Sequence, residues 1–132
     1  MFELEKLQSM KVAKTFAAED VIIREGDTLP CSMYIVLKGK VAVYKNYNKP
    51  EFETLGTLEN GDFFGETSLF LEEPHTITVV ALESDTTVFE ISQADAYELA
   101  KTEPEIFFTI TKHLCERVQT LDAKLSSQSS KN

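Results

Sequence analysis

Basic residues are scarce in this chain. Lys and Arg number 13 against 22 Asp and Glu, a formal net charge of −9 with a sequence pI of about 4.7. A nucleic-acid-binding surface needs a basic face, so direct DNA or RNA binding is not expected, and the acidic surplus serves solubility. Long apolar runs are missing as well. Nothing approaches the roughly 20 residues that cross a bilayer. The start, Met1-Phe2-Glu3-Leu4-Glu5-Lys6, lacks the basic-then-apolar layout of a signal peptide. No membrane association and a cytoplasmic setting are therefore expected. Cysteine is limited to Cys31 and Cys115, which form no spacing motif. A reducing compartment leaves both as thiols, read as packing residues and not as a disulfide. The two histidines, His75 and His113, are far apart and supply no metal ligand set. His113 and Cys115, two apart, would face different directions on a helix. No serine or cysteine nucleophile motif with a base partner is visible. The expectation is a non-enzymatic protein without metal or cofactor.

Glycine is sparse too, and placed with purpose. All five glycines stand at breaks: Gly26 and Gly39 at turns, then Gly56, Gly61 and Gly65 close together. Between these breaks the chain is rich in β-branched and aromatic residues. It predicts strands over Val12–Phe16, Val21–Arg24, Met33–Lys38, Lys40–Tyr47, Phe52–Leu58, Thr76–Leu82 and Thr86–Ile91. Many short strands at regular spacing point to a sandwich or barrel, not to βαβ units.

The pattern changes after residue 92. Ser92-Gln93-Ala94-Asp95 is a helix start with Ser92 as cap and Asp95 reaching back. Thr102-Glu103-Pro104-Glu105 is another, with proline in the first turn. From there Ile106, Ile110, Leu114, Val118, Leu121 and Leu125 form one apolar stripe over nearly six turns. A helix that long outgrows a small barrel, so part of its stripe is expected to meet a partner, most simply a second copy. With 132 residues, the expected organisation is one domain over residues 1–125. It comprises a short helix over 1–10, an antiparallel, jelly-roll-like β-roll over 11–92, and helices over 93–125. The serine-rich tail 126–132 is read as disordered. The fold class is mainly β, a roll closed by short helices and one long C-terminal helix.

The densest chemistry lies in Gly61-Asp62-Phe63-Phe64-Gly65-Glu66-Thr67-Ser68-Leu69-Phe70, followed by Pro74-His75-Thr76-Ile77. Glycine followed by polar residues at a helix start lets backbone N–H groups gather around an anion. Thr67, Ser68 and Thr76 fit turn stabilisation as well as anion contact. Glu66 can equally cap local N–H groups.

Together with Ile23-Arg24-Glu25-Gly26-Asp27 and the hairpin Met33–Tyr44, these stretches resemble the cyclic nucleotide-binding domain family over roughly Val12 to Leu125. The resemblance implies a phosphate-binding cassette. Glu66 would accept hydrogen bonds from the ribose hydroxyl, while the Gly65, Thr67 and Ser68 backbone and Thr76 would hold the cyclic phosphate. His75 stands where the family carries an arginine, with Pro74 and Thr76 correctly on either side. Ser68 and Ile77 each stand where alanine is usual, and the bulk of Ile77 is expected to crowd the pocket floor. Losing a two-pronged, charge-assisted contact costs roughly 2–5 kcal/mol, enough to turn a micromolar site nearly millimolar. The resemblance thus implies a stand-alone sensor domain that binds cAMP or cGMP weakly if at all and signals through its last helix. The alternative is a degenerate domain kept as a protein-interaction or structural module. The chain stops just after the long helix, so no helix-turn-helix domain is expected.

Overall fold

The computed structural model describes residues 13–130, with side chains described as far as Ala123. The helix expected over residues 1–10 lies outside the described residues. These group into two compact units, one ending at Ala96 and one beginning at Tyr97.

The first unit is the expected β-roll. Its strands are β1 (Ala13–Phe16), β2 (Val21–Ile23), β3 (Met33–Lys38), β4 (Lys40–Lys45), β5 (Glu53–Glu59), β6 (Phe63–Phe64), β7 (Thr78–Ala81) and β8 (Thr86–Ile91). They form two four-stranded antiparallel sheets, ordered β1-β8-β3-β6 and β2-β7-β4-β5. The chain passes from one sheet to the other between β3 and β4 through a single residue, Gly39. A Cβ there would lie 2.6 Å from Thr86 Oγ1 and 2.9 Å from its Cα, and φ is +87°. Only glycine fits this crossing.

Alternation along the strands supplies the core. Ile23, Tyr34, Val36, Val41, Val43, Phe64, Val79 and Val88 form one buried cluster drawn from both sheets. Tyr34 stacks on Phe64 with ring centroids 5.2 Å apart. Met33, Ile35, Phe63, Phe89 and Ile91 are equally buried, so β3 and β8 carry buried side chains on both faces. That explains the unbroken apolar run in β3.

Several boundaries differ from expectation. β4 stops at Lys45, two residues early, because Asn46 and Asn48 take positive φ (56° and 65°) in a turn. β7 starts at Thr78, not Thr76. Strand β6 was not anticipated at all, since two phenylalanines between glycines carry no period.

A short helix, α1 (Glu66–Leu71), follows β6, and α2 (Gln93–Thr102) follows β8. The expected cap of α2 is present: Asp95 N–H donates to Ser92 Oγ (3.2 Å), and Ser92 N–H donates to Asp95 Oδ2 (3.0 Å). Replacing Ser92 with alanine strips one of these bonds and costs about 1 kcal/mol of stability, measurable by urea denaturation.

In the second unit, α3 spans Pro104–Ser130. The tail read as disordered from Ser126 is helical to Ser130; no proline or glycine after Pro104 interrupts the backbone ladder. Along the apolar stripe, Ile106 and Ile110 are buried, Leu114 is half-buried, and Val118 and Leu121 are exposed. Cys31 and Cys115 are free thiols, and Cys115 is exposed, not the packing residue expected. Among the described residues no helix is long and apolar enough to cross a membrane.

Candidate functional site

The approach to the site is fixed to the central strand of the first sheet. Gly61 N–H donates to Val36 O, and Val36 N–H donates to Asp62 O, both at 2.9 Å. Asp62 Oδ2 accepts from Glu59 N–H at 3.0 Å and closes the turn. Strand β6 then delivers Gly65, which caps α1 in the left-handed conformation with φ of 84°. The cap is pressed against the start of β3: a Cβ at Gly65 would sit 2.7 Å from Ser32 O, 3.3 Å from Met33 Cα and 3.5 Å from His75 Cε1. Ser32 is itself held, its Oγ donating to Glu90 Oε2 at 2.9 Å.

Helix α1 is closed as tightly at its other end. Glu72 adopts the left-handed conformation and its N–H donates to Ser68 O at 2.9 Å. Gln93 Nε2 donates to Glu72 Oε1 at 2.6 Å, tying the end of α1 to the start of α2.

The opposite wall is the segment around His75, stitched to residues 25–30. Gly26 N–H donates to His75 O (2.7 Å), His75 N–H donates to Asp27 O (2.9 Å), and Glu25 N–H donates to Thr78 Oγ1 (3.0 Å). The His75 imidazole is 3% exposed, and its Nε2 lies 3.0 Å from Pro30 O. A carbonyl oxygen only accepts, so Nε2 carries a hydrogen and donates it to Pro30 O.

The six residues singled out from sequence therefore divide. Gly65, Ser68 and His75 are buried, Glu66 is half-buried, and Thr67 and Thr76 are exposed. Gly65 and His75 are adjacent in space. Ile77, expected to crowd the pocket floor, packs against the core cluster. Ser68 Oγ is buried and has no hydrogen-bond partner among the described residues. A buried hydroxyl left in that state costs about 1–3 kcal/mol. Ser68→Ala should accordingly stabilise the ligand-free protein by about 1 kcal/mol, read as a raised melting temperature; a destabilised variant would mean the hydroxyl is already satisfied.

Lys45 was missed by sequence reasoning, which placed it mid-strand. Its Nζ donates to Thr76 O at 2.8 Å and pairs with Glu25 Oε2 at 3.3 Å. The other Glu25 oxygen accepts from Asn46 N–H at 2.9 Å. That backbone N–H, more than Lys45, holds the Glu25 carboxyl below its ordinary value against the opposing effect of desolvation. A depressed carboxylate contributes stability that is complete above its unfolded pKa and is lost as pH falls through its folded one. Acidification through that range should release the β4–β5 turn, and amide hydrogen exchange at Asn46 would report the release ahead of the core strands.

The arrangement is thus a cradle of one left-handed glycine, a short capped helix, a buried hydroxyl and a buried imidazole. The family model of the cyclic nucleotide-binding domain matches residues 13–103. The chain belongs to that family. It is 28% identical over 125 residues to the cAMP-activated global transcriptional regulator Vfr of Pseudomonas aeruginosa, covering 92% of this chain and 58% of the relative. It is 26% identical over 112 residues to the cAMP-activated global transcriptional regulator CRP of Salmonella typhimurium, covering 85% of this chain and 53% of the relative. Among solved structures it is similar to the Thermus thermophilus catabolite activator protein, with a TM-score of 0.84 and 27% identity, over 96% of this chain and 59% of that one. The chain therefore spans somewhat over half the length of these relatives. As a cyclic nucleotide-binding domain it is a regulatory fold, and the Gly61–Ser68 turn and the His75 segment lie within the matched residues.

Proposed function

We propose that this cyclic nucleotide-binding domain is a cytoplasmic, non-enzymatic sensor that takes cAMP or cGMP weakly in the cradle and transmits occupancy through α3. The observation that carries the reading is the buried Ser68 hydroxyl with no partner among the described residues, in the first turn of a helix opened by Gly65. A ligand oxygen would satisfy it, alongside the backbone N–H groups of Thr67 and Ser68. Glu66 would accept from the ribose hydroxyl, as the family resemblance implies, and Thr76 would border the phosphate.

His75 supports weak binding. Its Nε2–H is directed to Pro30 O and is not free to donate to a phosphate. Transmission through α3 is supported by its exposed Val118 and Leu121, an apolar face suited to a second copy of the chain or a partner protein.

The same histidine favours a second reading. With the arginine gone and the imidazole turned to Pro30, the cradle would bind no nucleotide and the domain would serve as an interaction or structural module. Calorimetric titration with cAMP and cGMP separates the two. Weak, saturable heat supports the sensor. No heat at millimolar ligand leaves the module.

A further inference from the structure

A second hollow lies away from the cradle's glycine turn, where the end of β2 meets the β4–β5 turn. Arg24, Glu25, Tyr47, Asn48, Lys49 and Thr78 line a cavity of about 160 Å³. Its walls are built, not incidental. Glu25 is bound by Asn46 N–H and Lys45, which holds the turn over the strand end, and Thr78 is buried with its Oγ1 accepting from Glu25 N–H. Tyr47 is set by its neighbours: its ring stacks on Tyr44 with centroids 4.9 Å apart, and Phe52 tilts against both, 5.1 Å from Tyr44 and 5.8 Å from Tyr47. The tyrosine wall is therefore supported by packing on its far side.

Charge decides what such a hollow takes. Three cations, Arg24, Lys45 and Lys49, surround one carboxylate, Glu25, in a chain whose net charge is −9. Lys45 is committed to Glu25 and to Thr76 O. Arg24 and Lys49 are exposed, and Lys49 adds to the positive field acting on the Glu25 carboxylate. Two exposed cations beside an aromatic ring concentrate positive charge locally on an acidic protein. Arginine offers a planar fork that matches a carboxylate or phosphate in two-pronged fashion.

Volume bounds the guest. A cavity near 150 Å³ holds a benzene-sized molecule, whereas drug-sized ligands occupy roughly 300–1,000 Å³. A whole nucleotide is too large.

We propose that this hollow is a second binding site, for a small organic anion: a carboxylate or phosphate monoester on a flat body of about six non-hydrogen atoms. Arg24 and Lys49 take the anionic group, and Tyr47 faces the body. The site does not depend on the cradle's ligand, and its test is read at different amides.

The experiment follows backbone amide NMR shifts of the whole chain titrated with phenyl phosphate and with benzoate at constant ionic strength, with neutral phenol as the shape control. Saturable shifts at Glu25, Asn46 and Lys49 with either anion, and none that saturate with phenol, are expected. Arg24→Ala and Lys49→Ala should each weaken the binding by about tenfold, while Lys112→Ala, an exposed cation on α3, leaves it unchanged. Both variants alter exposed side chains, and an otherwise unchanged spectrum verifies their folds. Shifts that stay linear in ligand, shifts equal for phenol, or unaltered binding in Arg24→Ala would each overturn the proposal. Response to phenyl phosphate alone assigns a phosphate ester, and to benzoate alone a carboxylate, both within the proposed class.

Discussion

His75→Arg should tighten cAMP binding by roughly thirtyfold to a few thousandfold, because it restores a two-pronged, charge-assisted contact worth roughly 2–5 kcal/mol. The position is suited to the change in two respects. It sits beside Gly65, whose missing Cβ would come within 3.5 Å of the imidazole, and it faces a carbonyl, Pro30 O, that a guanidinium N–H can also satisfy. Arginine carries five donors, so one can replace the Nε2–H bond while others stay free for the phosphate. The gain is offset in stability. His75 is 3% exposed, and a longer side chain in a packed site costs about 1–3 kcal/mol. The expected variant melts lower without ligand and is strongly restabilised by it. Calorimetry gives the affinity and thermal melts give the offset. An arginine variant that folds and binds no better would show that something other than the missing cation closes the cradle.

Gly65→Ala should have the largest structural effect of any single methyl group added to the site. Two costs fall together. An alanine held at φ of 84° is strained by about 1–3 kcal/mol. Its Cβ would also stand 2.7 Å from Ser32 O and 3.3 Å from Met33 Cα, both backbone atoms that cannot rotate away. Met33 begins β3, which is paired on both sides, with β8 and β6, so relief would have to come from α1. A total loss of about 3–5 kcal/mol is expected, together with loss of any binding at Glu66–Ser68. Denaturant unfolding measures the first. A variant within about 0.5 kcal/mol of the parent would show that Gly65 is not pressed against β3.

What could be read from the residues alone depended on range. Features set by neighbours in the chain were legible. The Ser92–Asp95 cap joins residues three positions apart, and the β-branched runs of β3, β4 and β8 announce strands wherever they fold. The Gly65 turn was legible for the same reason, as a glycine immediately before a polar helix start. The roll as a whole came from the order of these turns and from the family resemblance, since two-residue β6 and the crossing at Gly39 leave no periodic signal.

The candidate site was only half legible, because its decisive contacts are long-range. His75 bonds Pro30, 45 positions away, and Lys45 reaches Thr76 across 31. Nothing local distinguishes a histidine turned inward to a carbonyl from one facing a ligand. Equally, Ser68 and Thr67 are adjacent hydroxyls of the same turn, yet one is buried and the other exposed. The helical offset that separates them is fixed by how Gly65 docks on β3, which no pattern in residues 61–70 encodes.

Backbone amide NMR during titration with cAMP tests whether the Gly65–Ser68 turn takes the phosphate of a cyclic nucleotide, as proposed. Saturable shifts are expected at the Glu66, Thr67 and Ser68 amides, with half-saturation in the millimolar range. A cyclic nucleotide that saturates while leaving those three amides unmoved, or that moves none at millimolar concentration, would contradict the proposal.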